Sequence, residues 1–238
     1  MTMAATTLAK IASSPMAGIF ITLLAYKLAI LLNKRCQGHP VANTVLVSSL
    51  IVITLLLLSG ISYERYMEGG RFILLLLGPA TVALAVPLYH NLPKLKRAAT
   101  PLAIALCVGA LAGILSALFL GQGLGLPHNV VLSLLPRSVT TPIAMGVSEA
   151  IGGIPALSAT FVIVSGIVGA VLVKPLFTWL GWRDDMVLGF ATGLAAHGIG
   201  TARVFQLSET AGAFAGLAMG LNGLLTAILV PLVVSWLM

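Results

Sequence analysis

Three stretches of this sequence set polar, charged and helix-breaking residues inside apolar surroundings. The richest is Pro136-Arg-Ser-Val-Thr-Thr-Pro142, continued to Met145 and Glu149. A guanidinium held away from water offers a fork of N–H donors that matches a carboxylate. Ser138, Thr140 and Thr141 stand where hydroxyls and free N–H groups at the start of a half-helix hold the oxygens of an anion. One charge at the centre of a bilayer costs at least about 2.5–3.5 kcal/mol on the insertion scale, so Arg137 requires a cavity or a partner there. The plainer reading is an exposed loop in which Arg137 anchors the chain at the membrane surface.

The second stretch is His197-Gly-Ile-Gly-Thr-Ala-Arg203. Two glycines weaken the helix and admit close backbone approach. Arg203 is a second candidate carboxylate ligand, and Thr201 adds a hydroxyl. His197 titrates near neutrality and, with Glu149, is a candidate for proton coupling. The plainer reading packs His197 against a neighbouring carbonyl and makes Arg203 an anchor. The third stretch, Gly78-Pro-Ala-Thr-Val-Ala-Leu-Ala-Val-Pro87, breaks at Pro79, which removes a donor and disfavours helix at Gly78. The break would expose Thr81; the plainer reading is a proline kink. The expected substrate ligands are therefore Arg137, Ser138, Thr140, Thr141, Thr81, Thr201 and Arg203. The expected helix breaks fall at Gly78, Pro79, Pro142, Gly198 and Gly200.

The elements that carry these stretches must sit in a bilayer. The chain is 59% hydrophobic and 8% charged, with a mean hydropathy of +1.09. Soluble proteins are about a quarter charged. Charge-free runs predict spans over 15–32, 41–60, 71–90, 99–120, 154–179, 185–206 and 211–237. Residues 127–152 are too interrupted for one helix and predict two half-helices or a re-entrant hairpin. The expected fold is an all-α integral membrane bundle of about eight transmembrane segments with discontinuous helices. A polar lead, 1–14, without a cleavable signal pattern precedes one domain, 15–238. Weak echoes (Gly78–Thr81 with Gly198–Thr201, Thr81–Ala85 with Thr140–Ala144) raise an internal, inverted repeat, but their offsets differ. Irregular backbone survives in hydrocarbon only inside the bundle or beside water, and carriers use such breaks to build midplane sites. The three stretches are expected to converge on one midplane cavity suited to a small anion.

The 13 Lys and Arg against 6 Asp and Glu set topology rather than bind nucleic acid. Lys34 and Arg35, then Lys94, Lys96 and Arg97, place loops 33–40 and 90–98 in the cytoplasm and the N-terminus outside. Cys36 and Cys107 are expected to be unpaired, with no metal site and no cofactor. An intramembrane protease would need paired aspartates or a Ser/His dyad in spans. The spans lack the aspartates, and Ser138 with His197 has little to recommend it, so no enzyme is expected. Gly109-x-x-x-Gly113 and similar pairs read as helix packing. Asn222 reads as an interhelical hydrogen bond. Asp184 and Asp185 read as solvated loop charges.

LLLLGPATVALAVPLY (74–89), LPRSVTTPIAMGVSEAIGGIPALSA (135–159) and AAHGIGTAR (195–203) closely resemble the LrgB/CidB family, and the likeness runs over roughly 15–238. The resemblance implies a bacterial cytoplasmic (inner) membrane protein working with a small LrgA/CidA-type membrane partner. Family members were first described as antiholin-like modulators of murein hydrolase export and cell lysis. Plastid relatives with an LrgB-like half exchange glycolate and glycerate, and bacterial relatives are linked to pyruvate. Two functions are therefore expected. One is a carrier of small monocarboxylates such as glycolate, glycerate, lactate or pyruvate, working as a homo-oligomer such as a dimer. The other is an antiholin-like modulator acting by oligomerisation with its partner.

Overall fold

The computed structural model describes residues 15–36, 42–83 and 85–237. The polar lead and part of the loop 33–40 lie outside them. The helices are α1 (Pro15–Arg35), α2 (Thr44–Ser59), α3 (Tyr63–Leu75), α4 (Leu77–Ala83), α5 (Ala85–His90), α6 (Leu92–Gly123), α7 (His128–Leu134), α8 (Thr141–Ala150), α9 (Pro155–Trp179), α10 (Asp185–Phe205) and α11 (Glu209–Leu237). There is no strand among the described residues. Four helices, α1, α6, α9 and α11, are long and apolar enough to cross a membrane. Their outward faces carry Phe20, Ile104, Leu172 and Trp236 exposed, which is stable only when lipid replaces water around them.

The chain divides into two units, 1–83 and 84–238. In the first, α1 packs on α2 and α3. Gly18 lets α1 approach the backbone of Tyr66 and Gly69, and the Thr22 and Tyr66 hydroxyls share a hydrogen bond of 2.7 Å. Asn43 caps α2, its Oδ1 accepting from the N–H of Val45 and Leu46 at 2.9 and 3.2 Å. The expected span 71–90 is not one helix. It is divided among α3, α4 and α5, and Pro79 and Pro87 each fall in the first turn of a short helix. A helix restarts there easily, because a first-turn N–H has no intrahelical partner to lose.

In the second unit α6, α9 and α11 run the full depth. Ala98 and Leu102, early in α6, pack with Phe214 and Ala218, early in α11. Ile114 and Leu118, later in α6, pack with Val230, later in α11. These two helices therefore run in the same sense. α9 runs oppositely, since Val173 and Phe177 near its C-terminus meet Ala211 and Ala215.

The other two segments do not cross. Residues 185–206 were expected to span, and a straight 21-residue helix would separate its ends by about 30 Å. Instead the Ser208 hydroxyl, just past the end of α10, donates to Asp185 Oδ2, at its start, over 2.6 Å. The chain reverses at Ala196 (φ −126°, ψ 15°) and His197 (φ 39°, ψ −135°), so α10 is a re-entrant hairpin of two arms. The span expectation fails here because Gly and Ala allow a turn that hydropathy does not register. Residues 128–154 form a second hairpin. Ser133 Oγ accepts from the Ile154 N–H at 2.7 Å, and Ser133 O accepts from Ser158 Oγ at 2.8 Å. The end of α7 and the end of the segment at Ile154 are thus together, while the non-helical tip, 135–140, reaches further along α9, Arg137 meeting Ser165.

Candidate functional site

The two hairpins enter from opposite ends and meet halfway along α9. From the first, the Arg137 carbonyl accepts from Ser165 Oγ at 2.8 Å. From the second, His197 Nε2 pairs with the Val162 carbonyl at 2.9 Å. Gly166 makes this approach possible, because a Cβ there would stand 2.7 Å from His197 Cε1 and Nε2. Gly200 does the same between the two arms, where a Cβ would stand 2.6 Å from Ala196 Cβ and 2.7 Å from Thr192 Cγ2. His197 is a non-glycine residue at positive φ, a strained conformation that its surroundings must hold. The Thr201 hydroxyl helps by donating to the His197 carbonyl at 2.7 Å.

Asn222, halfway along α11, joins the tips. Its Nδ2 donates to the Leu194 carbonyl of the second hairpin at 3.0 Å. The same amide lies 3.3 Å from the Ser138 carbonyl and 3.4 Å from the Ser138 hydroxyl of the first. Thr226 orients it by donating to Oδ1 at 3.2 Å. The Asn222 side chain has no exposure at all. Reading Asn222 as an interhelical bond names its chemistry, but nothing in the sequence indicates that its partners are two turns of irregular backbone.

Arg137 reaches the other way, into α6. Nη1 donates to the Gly113 carbonyl at 3.0 Å and Nη2 to Ser116 Oγ at 3.3 Å. A guanidinium has five N–H groups, so more than half remain for another acceptor. Thr140 is the N-cap of α8 and Thr141 its first residue, and neither caps through its side chain. Pro142 follows in the same turn. The second arm of α10 likewise begins at the tip, with Gly198. Two half-helix N-termini, each with unsatisfied N–H groups and partial positive charge, thus start where the tips meet.

The remaining candidates are described by their own elements. Arg203 is buried in the last turn of α10, with Nη1 3.5 Å from Gln206 Oε1. That is five residues, about 7 Å, beyond the start of its arm. Glu149 is exposed at the far end of α8. Gly78 and Pro79 lie in α4 of the first unit, and the Thr81 side chain is outside the described residues. Asp184 and Asp185 are exposed, as solvated charges should be, and each also holds a hydrogen bond. Asp184 Oδ1 caps α10 by accepting from the Val187 N–H at 3.0 Å, and Asp185 closes the hairpin mouth. Cys36 and Cys107 are free and exposed. Among the described residues no cluster of three His, Cys, Asp or Glu could hold a metal. A cavity of about 590 Å³ opens beside the α10 mouth, lined by Lys94, Arg97, Arg183, Asp184, Asp185 and Thr210 among others.

Comparison with known proteins gives the family. The profile of the LrgB-like family matches residues 22–236. The uncharacterized protein YwbG of Bacillus subtilis (strain 168) is 37% identical over 92% of this chain and 96% of its own. The uncharacterized protein YxaC of the same strain is 35% identical over 92% of this chain and 94% of its own. The antiholin-like protein LrgB of Bacillus cereus (strain B4264) is 31% identical over 92% of this chain and 95% of its own. No solved structure matches the chain. Nearly the whole chain, both hairpins included, is thus covered by one profile, and this multi-pass helical membrane protein belongs to the LrgB-like family.

Proposed function

We propose that this protein carries small monocarboxylates, of the glycolate, glycerate, pyruvate and lactate class, across the bacterial cytoplasmic membrane. The observation that carries the reading is the meeting of two opposed re-entrant hairpins beside Arg137. Half-helix N-termini from the two hairpins face one point and favour a negative charge there. The free N–H groups of Arg137 take the carboxylate. Ser138, Thr140 and Thr141 take the 2-hydroxyl or 2-keto oxygen, and Thr201 stands one turn beyond the second tip. Each hairpin closes the path from its own end, so moving one at a time opens the site to one side at a time. His197 and Glu149 are the residues available for proton coupling. A homodimer and an LrgA/CidA-type partner belong to the same reading.

The orientation follows from charge. In the second unit every Lys and Arg except Arg137 lies toward one end: Lys94, Lys96, Arg97, Lys174, Arg183 and Arg203. The positive-inside rule makes that end cytoplasmic.

The test is uptake of radiolabelled glycolate and pyruvate into proteoliposomes. Losing a charge-assisted bidentate contact is worth about 1.5–3 kcal/mol, so Arg137→Gln should lower kcat/KM about 10- to 100-fold. Arg203→Gln should stay within about threefold of the parent if Arg203 is outside the site, an effect of under 1 kcal/mol. Uptake by Arg137→Gln equal to the parent would sink the site. The relatives called antiholin-like favour the second reading, modulation of lysis. Unsaturable leakage that also passes large solutes would support that reading and exclude the carrier.

A further inference from the structure

The 590 Å³ cavity at the basic end is not used by the transport reading. Its chemistry is unlike that of the hairpin tips. Lys94 and Arg97 come from the first turns of α6, and Arg183 comes from the loop before α10. Three cations from two separate elements thus line one hollow, with Ala98 and Pro101 as an apolar wall. The two carboxylates in the same hollow offset part of this charge, three cations against two anions leaving a net +1, and both are already turned to other donors. Asp184 is occupied as the α10 cap and Asp185 by Ser208. None of the three cations has a hydrogen bond or ion pair among the described residues.

The cavity also lies at the level of the lipid headgroups. α6 has 32 residues, or about 48 Å, against about 30 Å of hydrocarbon. Its charged first turns therefore stand outside the hydrocarbon. Trp179 and Trp182, 81% and 55% exposed, flank Arg183 from the end of α9, where indoles mark the boundary between hydrocarbon and headgroups. A phosphate at this depth meets the three cations while its acyl chains continue along the exposed apolar faces of α6 and α9.

We propose that this cavity binds the phosphate of an anionic phospholipid from the leaflet at the basic end. The shared chemistry is a phosphate oxyanion on two arginines and a lysine. The lipid would sit against the Asp185–Ser208 bond that closes the mouth of the second hairpin, so its occupancy stiffens that mouth.

The experiment is native mass spectrometry of the purified full chain in detergent, titrated with phosphatidylglycerol or with phosphatidylcholine. Retention of phosphatidylglycerol over phosphatidylcholine is expected. Replacing all three cations, Lys94→Gln with Arg97→Gln and Arg183→Gln, should weaken phosphatidylglycerol about a hundredfold, at roughly one tenfold step or less per charge near the surface. The charge-keeping variant, Lys94→Arg with Arg97→Lys and Arg183→Lys, should restore retention, which separates charge from folding. Lys96→Gln with Lys174→Gln, on the same end but outside the cavity, should leave it unchanged. Equal retention by the triple Gln variant, or equal loss by the Lys96/Lys174 variant, would overturn the site. Displacement of the lipid by equimolar inorganic phosphate would overturn the lipid as its occupant in favour of a soluble anion. None of these readouts depends on transport, so the carrier reading can fail while this one holds.

Discussion

Replacing Asn222 with alanine tests whether the two hairpin tips are held together from α11. Three contacts are lost. The bond to the Leu194 carbonyl at 3.0 Å and the one from Thr226 at 3.2 Å are well formed. The third is the weaker share of Nδ2 with Ser138 at 3.3–3.4 Å. Interhelical hydrogen bonds in membranes average about 0.6 kcal/mol and reach about 1.7. Two interhelical contacts, to Leu194 and Ser138, and the intrahelical one from Thr226 at a similar size give about 2 kcal/mol, and the void left in a fully buried position raises this to about 3 kcal/mol. The loss should therefore fall between about 2 and 3 kcal/mol, measured by reversible SDS unfolding in mixed micelles. Ser138→Ala alone removes only the longest contact and should change stability by less than about 0.6 kcal/mol. The same Asn222 variant should lose most saturable uptake, since the tips are no longer registered. If Asn222→Ala unfolds within 0.5 kcal/mol of the parent, about the error expected of a silent substitution, the tips are held by something else and the bracing argument is wrong.

Three further outcomes follow from the same geometry. Gly166→Ala should destabilise by about 1–3 kcal/mol, because its Cβ meets the His197 ring at 2.7 Å. Gly113→Ala, with nothing within 4 Å, should be neutral or stabilising by up to about 1 kcal/mol; thermal unfolding of both in detergent checks the contrast, and equal shifts would refute the packing at the tip. His197→Gly should be more stable than His197→Ala by about 1 kcal/mol, since only glycine is at ease at φ 39°; the reverse order would mean that residue 197 is ordinary helix. In a background with Cys36 and Cys107 replaced by serine, Asp185→Cys with Ser208→Cys should cross-link on mild oxidation, seen as a mobility shift on non-reducing gels. A continuous spanning helix would hold those residues about 30 Å apart, and absence of cross-linking would refute the hairpin.

Much of this was legible in the residues. Pro136, Arg137 and Pro142 in an apolar region announce a break, because hydrocarbon tolerates neither the missing donor nor the charge without support. Hydropathy likewise picks out α6, α9 and α11 as spans. The reversal of α10 was not legible. It has no proline, its turn falls on a histidine rather than on Gly198, and 185–206 is long enough to pass for a span. The available signal was charge and polarity at both of its ends, Asp184 and Asp185 before it and Ser208 and Glu209 after it, which suits two mouths at one surface. The partners of Arg137 were hidden for a different reason. Gly113 offers only a backbone carbonyl, and a carbonyl looks the same in every residue. The place of Arg203 in the second arm of a hairpin depended on the reversal and could not precede it.

The first arm of α10 meets α11 with nothing between them. A Cβ on Gly189 or Gly193 would overlap the backbone of Ala211 or Ala215, so main chain lies on main chain. Such a seam has no side chains to repack and cannot slip by a fraction of a turn. Residues 185–195 and the first turns of α11 therefore move as one beam. The second arm adds contacts through side chains, Val204 packing with Val173 and Phe177 of α9 and with Ala211 and Ala215 of α11. The seam of the first arm with α11 is thus the one part of the second hairpin that side-chain repacking cannot adjust.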